Sequence, residues 1–169
     1  GERPEASGER EKEESMKRIK NLIVYQKSKQ LVIDIYKLLE TFPDSERFAL
    51  CNQIRRAVVS IPSNIAEGMG RVSDKDQAHF LNIAYGSLME VYAQLDIAHD
   101  LGYINNETFN LVENDVEEIS KMSHMISEVL QMTVDERRII SKESQPLNVS
   151  DVITGLCDNN SAYIKSCDL

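Results

Sequence analysis

The chain has 169 residues, enough for one domain with its own hydrophobic core and short for two. Hydrophobic residues make up 41% and aromatics 6%, with no Trp, seven Gly and four Pro, a balance that disfavours turn-dense β structure. The net charge of −9 argues against a general nucleic-acid binder, because phosphate affinity rests on dense positive charge.

That net charge is unevenly spread. Residues 1–16 carry −3, residues 17–71 carry +5 and residues 72–169 carry −11. A chain with its signs separated in this way can bind copies of itself or a basic partner protein. No run of about 18 apolar residues occurs, so no membrane span is expected.

Residues 1–15 are polar and charged, and predict a disordered extension. Met16 opens a different register, MKRIKNLIVYQKS, and is the expected translation start. The first fifteen residues hold no apolar signal region, and the cysteines, Cys51, Cys157 and Cys167, form no CxxC pair. A cytoplasmic protein is the simplest expectation. Cys51 lies on an apolar stripe and reads as a buried reduced thiol; whether Cys157 and Cys167 pair is open.

A first helix is predicted over about Tyr25 to Thr41, with Leu31, Ile35, Leu38, Leu39 and Phe42 as its stripe, widened by Val32 and Tyr36. Pro43 stops it. Asp44 or Ser45 then caps a second helix carrying Phe48, Cys51, Ile54, Val58, Ile61 and Ile65, ending near Gly70. Pro62 falls inside that run and predicts a kink rather than a stop, with Ser60, Ser63 and Asn64 placed to bond the freed backbone. Arg55 and Arg56 precede the kink and Arg71 follows it.

Ser73 and Asp76 resemble a capping box at the start of a third helix. Leu81, Ala84, Leu88, Val91, Leu95 and Ala98 then alternate spacings of three and four, the seam of a packed bundle helix. Gly86 inside it predicts close approach of a neighbouring helix, and Leu101-Gly102 the stop. Asn105 or Asn106 restarts the chain. Val112, Val116, Ile119, Met122, Ile126 and Val129 form a fourth stripe to about Met132, with an acidic outward face. A solvated face is the expected reading of those acids. Beyond Thr133 the periodicity fades, and Pro146 and Gly155 predict a loosely ordered tail, although Ile139 and Ile140 leave room for a longer helix. The expected organisation is an extension over 1–15, a domain over 16–132 and a tail over 133–169. Four amphipathic helices with short connections predict an all-α, antiparallel up-and-down four-helix bundle, kinked at Pro62.

The segment QIRRAVVSIPSNIAEGMGR (53–71), followed by FLNIAYGSLMEVYAQLDIAHDLGYI (80–104), resembles the four-helix bundle proteins encoded in 23S rRNA intervening sequences. The resemblance covers about residues 20–131. Its distinctive centre holds Ile61, Pro62, Ser63, Asn64, Glu67 and Gly68. It implies an antiparallel four-helix bundle and a ring-like homopentamer. The accessory proteins of diversity-generating retroelements are similar, and use a basic barrel to engage a reverse transcriptase and nucleic acid. The acidic second half of this chain departs from that basic character.

No residue pattern marks an enzyme. There is no phosphate-cradling Gly-rich loop; Gly68-Met69-Gly70 is a helix exit. Asp76/His79 and Asp96/His99 each put an acid and an imidazole on one helical face. Both pairs share one helix roughly 30 Å apart at ~1.5 Å per residue, so they cannot close a common metal site. His124 stands alone, and Cys51 has no adjacent base. No catalytic, cofactor-binding or metal residue is assigned, and neither a cofactor nor a small-molecule substrate is expected.

The candidate interaction surface is the basic set Lys17, Arg18, Lys20, Lys27, Lys29, Arg55, Arg56 and Arg71. For Arg55 and Arg56, structural or intersubunit pairing is expected, with Glu67 of the same segment as a candidate carboxylate. Tyr25, Tyr36, Tyr85, Tyr92 and Tyr103 are expected in helix packing or subunit contacts rather than in base stacking. The expected function is a non-enzymatic, self-assembling interaction scaffold that presents repeated charged surfaces to a macromolecular partner. The alternative is an RNA-binding protein using the basic set.

Overall fold

The computed structural model describes residues 5–140, with side chains at Arg10 and from Glu13 to Thr133. The expected tail beyond Ile140, with Pro146, Gly155, Cys157 and Cys167, lies outside the described residues. The fold is all-α: α1 (Glu5–Asn21), α2 (Ile23–Leu39), a 3-10 turn (Asp44–Glu46), α3 (Leu50–Met69), α4 (Asp74–Asp100) and α5 (Asn106–Ile140).

Helix α1 differs from the disordered extension expected for residues 1–15. It lacks an apolar stripe, and is built from good helix formers with pairs one turn apart, Lys17–Glu13 at 2.8 Å and Arg18–Glu14 at 3.1 Å. Each exposed pair of this kind contributes about 0.3–0.5 kcal/mol. Leu22 leaves helical geometry (φ −72°, ψ 117°) and buries its side chain, so α2 starts as a separate helix.

Helix α2 buries Val24, Ser28, Leu31, Ile35 and Leu39. The Ser28 hydroxyl donates to its own helix at Tyr25 O (2.9 Å), which satisfies a polar group at a core position. Before Pro43 the chain turns, and Phe42 tucks inward against the Tyr103 ring at 5.6 Å between centroids.

The expected start of the second long helix is corrected. Asp44–Glu46 forms only a 3-10 turn, and α3 begins at Leu50. Phe48, expected on the buried stripe, is therefore out of phase with it and 87% exposed. Cys51, Ile54, Val58, Ile61 and Ile65 are buried as expected. The helix continues through Pro62, itself buried. Ser63 Oγ donates to Val59 O and Asn64 Nδ2 to Ser60 O, both at 2.8 Å. These are the carbonyls following Val58, whose helical donor proline removes.

Helices α3 and α4 make the most extensive contact in the chain. Gly68 is the reason they can close. A Cβ there would lie 3.0 Å from Phe80 Cβ and 3.3 Å from Gln77 O. Nearer the middle of the contact, Ser87 Oγ donates to Ser60 Oγ at 2.9 Å. Gly86, expected to admit a neighbouring helix, instead faces open space in the single chain.

Helix α4 is capped by Ser73, whose hydroxyl accepts from Asp76 N at 3.4 Å. All six residues of the predicted seam are buried. Gly102 (φ 77°) reverses the chain, and Tyr103 N donates back to Ala98 O at 2.9 Å, a Schellman stop. Asn105 is the cap of α5: its Oδ1 accepts from Thr108 N at 2.8 Å. Helix α5 runs to Ile140, beyond the expected end near Met132. It buries Val112, Val116, Ile119, Met122 and Ile126, with Leu130 also inside.

Sequential helices pack against each other, α2 on α3, α3 on α4 and α4 on α5, and α2 also meets α5. The circuit encloses one apolar core. It also sets the α2/α3 edge and the α4/α5 edge on opposite sides of the molecule.

Candidate interaction surfaces

Long helices on a shared core hold their charged side chains at fixed heights, so each predicted basic residue can be placed. Lys27 reaches from α2 to Glu118 of α5 at 2.7 Å. Lys17 and Arg18 pair within α1. Arg71 is held by Glu67, one turn earlier, and lies over the Phe80 ring at 4.7 Å. This corrects the expected role of Glu67, which is the partner of Arg71 rather than of Arg55 or Arg56. Arg55 and Arg56 lie 12 and 11 positions earlier on α3, about 17 Å away at ~1.5 Å per residue.

Arg55 packs its guanidinium over the Tyr36 ring of α2 at 5.8 Å, and Lys29 places its ammonium 5.7 Å from the Tyr25 ring centroid. Lys20 and Arg56 are exposed and form no ion pair among the described residues. The eight cations are therefore not one patch. Lys17, Arg18 and Lys20 belong to α1, Lys27 to the α2/α5 side, and Arg71 to the end of α3. Lys29, Arg55 and Arg56 remain on α2 and α3. Around the last group three apolar side chains stand out to solvent: Ile33 at 45%, Tyr36 at 41% and Val59 at 40%.

The opposite edge has the reverse sign. Tyr92 of α4 donates its hydroxyl to Glu113 Oε1 of α5 at 2.9 Å. That bond, then the charge of Glu113 and loss of solvent, with smaller contributions from Asp96 and Glu117, hold the phenol above its ordinary pKa. Asp96 lies one turn after Tyr92 on α4 and Glu117 one turn after Glu113 on α5, where it meets Lys121 at 3.2 Å, and Tyr85 is exposed on α4. The Tyr92–Glu113 bond was hidden in the sequence because it joins two helices. Only the run of acids on α5 hinted at it.

At the α2/α5 edge, loss of solvent first, then Asp34 and Glu118, raise the Asp115 carboxyl above its usual range, while Lys27 pulls it down. Burial pushes the Cys51 thiol up and Arg55 lowers it less, so the thiolate is disfavoured. His99 stacks on Phe109 at 4.6 Å and bonds Asn106 Oδ1 at 2.7 Å. His124 faces Glu128 at 3.2 Å. Among the described residues, no group of three or more His, Cys, Asp or Glu could hold a metal ion. No helix described is long and apolar enough to cross a membrane.

The distinctive Ile61–Gly68 segment is accounted for mainly by packing. Ile61, Pro62, Ile65 and Gly68 are buried, Ser63 and Asn64 bond their own helix, and Glu67 anchors Arg71. The segment builds the α3/α4 contact.

An all-α protein with a core of packed helices and oppositely charged edges is the class that these observations define. The chain belongs to the family of 23S rRNA-intervening sequence proteins, whose model matches residues 20–125. A crystal structure of a protein of unknown function from the S23 ribosomal protein family of Bacteroides thetaiotaomicron is similar, with a TM-score of 0.59 and 29% identity. The likeness covers 63% of this chain and 96% of that one. No curated protein matches the chain.

Proposed function

We propose that α2 to α5 form an antiparallel four-helix bundle, with α3 bent at Pro62, that acts as a non-enzymatic, self-assembling scaffold in the cytoplasm. The assembly is a homopentamer that repeats its charged edges around a ring for a macromolecular partner. One observation carries this reading. Lys17, Arg18, Lys27 and Arg71 each pair with a carboxylate of the same chain, and Lys29 lies against a tyrosine ring. What stays open on α2 and α3 is an apolar and aromatic centre beside Arg56, the composition of a protein-contact surface. A phosphate-tracking surface needs many unpaired cations.

Titration of labelled single-stranded and hairpin RNA by fluorescence anisotropy separates this from the alternative of RNA binding through the basic set. The scaffold reading expects no saturable binding at moderate salt, and no change on reversing Arg56. Tight binding with a steep salt dependence, lost in Arg56→Glu, would replace it with the nucleic-acid reading.

A further inference from the structure

We propose that the two opposite edges are the two halves of one head-to-tail interface between copies of this chain. The α2/α3 edge (Tyr36, Arg55, Arg56) of one copy docks on the α4/α5 edge (Tyr85, Asp96, Glu117) of the next. This rests on the self-assembly reading and adds to it the faces that meet.

Three features lead there. The first is sign. Arg56 is an exposed cation with no ion pair among the described residues, and Arg55 has only a ring beneath it, so both keep donors for an incoming carboxylate. On the other side the Tyr92–Glu113 bond joins α4 to α5, with Asp96 one turn beyond Tyr92 and Glu117 one turn beyond Glu113; Glu117 meets Lys121 of its own helix at 3.2 Å, an exposed pair weak enough to leave it open to an incoming arginine. The second is composition. Ile33, Tyr36 and Val59 supply an apolar centre on one edge, and Tyr85 an amphipathic one on the other. Tyrosine and arginine are the residues that most often anchor such contacts. The third is placement. The helix circuit sets the two edges on opposite sides. A contact between unlike, opposite faces is heterologous, and each copy retains one free half of each kind, so association continues from copy to copy and ends where the rotation between copies closes a ring. A face-to-face dimer of like edges would oppose Arg56 to Arg56 and is disfavoured.

Reciprocal charge reversal, read as mass against concentration by sedimentation, tests the pairing. Arg56→Glu alone and Asp96→Lys/Glu117→Lys alone should each raise the concentration needed for assembly by about tenfold or more. The combination of all three in one chain should recover most of the loss. Circular dichroism of each variant confirms that the helices persist, so a folding defect is not read as an interface. Assembly of the folded variants at the wild-type concentration would overturn the assignment of faces while leaving self-assembly standing. Loss in both single sets without recovery in the combination would overturn the pairing of these two edges. A wild-type chain that stays monomeric throughout would overturn the self-assembly reading itself.

Discussion

Replacing Gly68 with Ala puts a methyl group where α3 and α4 come closest. The new Cβ would lie 3.0 Å from Phe80 Cβ and 3.3 Å from the Gln77 carbonyl oxygen. Neither neighbour is the free end of a flexible side chain: one is the base of an aromatic side chain, the other is backbone. Relief therefore requires the two helices to move apart. Alanine gains about 1 kcal/mol over glycine in helix propensity, while overpacking a tight contact costs about 1–3 kcal/mol. The expected net loss is about 1 kcal/mol, since the gain offsets part of the strain. Gly86→Ala on α4 is the matched control, because nothing lies within 4 Å of the place its new methyl would take. It should show the propensity gain alone and stabilise by up to about 1 kcal/mol. Urea unfolding followed by circular dichroism, at one fixed protein concentration because assembly shifts apparent stability, measures both. A Gly68→Ala variant as stable as wild type would refute the close-contact account, as would a Gly86→Ala variant that loses as much.

Other expectations concern the polar groups. A double-mutant cycle on Lys27→Met and Glu118→Gln should give a coupling of about 0.5 kcal/mol, kept small by partial exposure of both side chains; zero coupling would show the pair to be unimportant. Ser60→Ala removes the hydroxyl that accepts from both Ser87 Oγ and Asn64 Nδ2, and should lower stability by about 1 kcal/mol in thermal unfolding. Stability unchanged in that variant would mean that solvent replaces the bonds without cost. Asp115 has a folded-state pKa raised above its unfolded value, so its ionisation opposes folding. The penalty is absent below the unfolded value, grows as pH rises through the folded one, and is fully present at neutral pH. Asp115→Asn should therefore stabilise at neutral pH, with the advantage vanishing in acid. An advantage equal at both ends of the pH range would contradict the electrostatic origin.

Much of the core was legible because burial repeats with helical period. The Leu81–Ala98 seam reads directly from its spacing, and the side chains of Ser73 and Asn105 mark the helix starts that they cap. Phe48 was misread because it keeps the spacing of the stripe that follows, while a 3-10 turn interrupts the helical phase before Leu50. Helix α1 was invisible to periodicity for the opposite reason: it has helix-forming residues and charge pairs but no buried stripe. On the surface, the Glu67–Arg71 pair is a one-turn spacing legible in the sequence, whereas Glu67 as a candidate for Arg55 and Arg56 rests only on their sharing one segment. The stacking of Arg55 on Tyr36 joins residues 19 apart on different helices, so no local pattern announces it. The same holds for the Tyr92–Glu113 bond between α4 and α5.

Self-assembly is tested most directly by the absolute mass of the RNA-free protein in solution, measured by multi-angle light scattering at low and at high salt. A mass near five times the 19.2 kDa chain in both conditions is the predicted result. A mass of one chain in both would contradict it, and would leave the Tyr36–Arg56 surface open to a different partner.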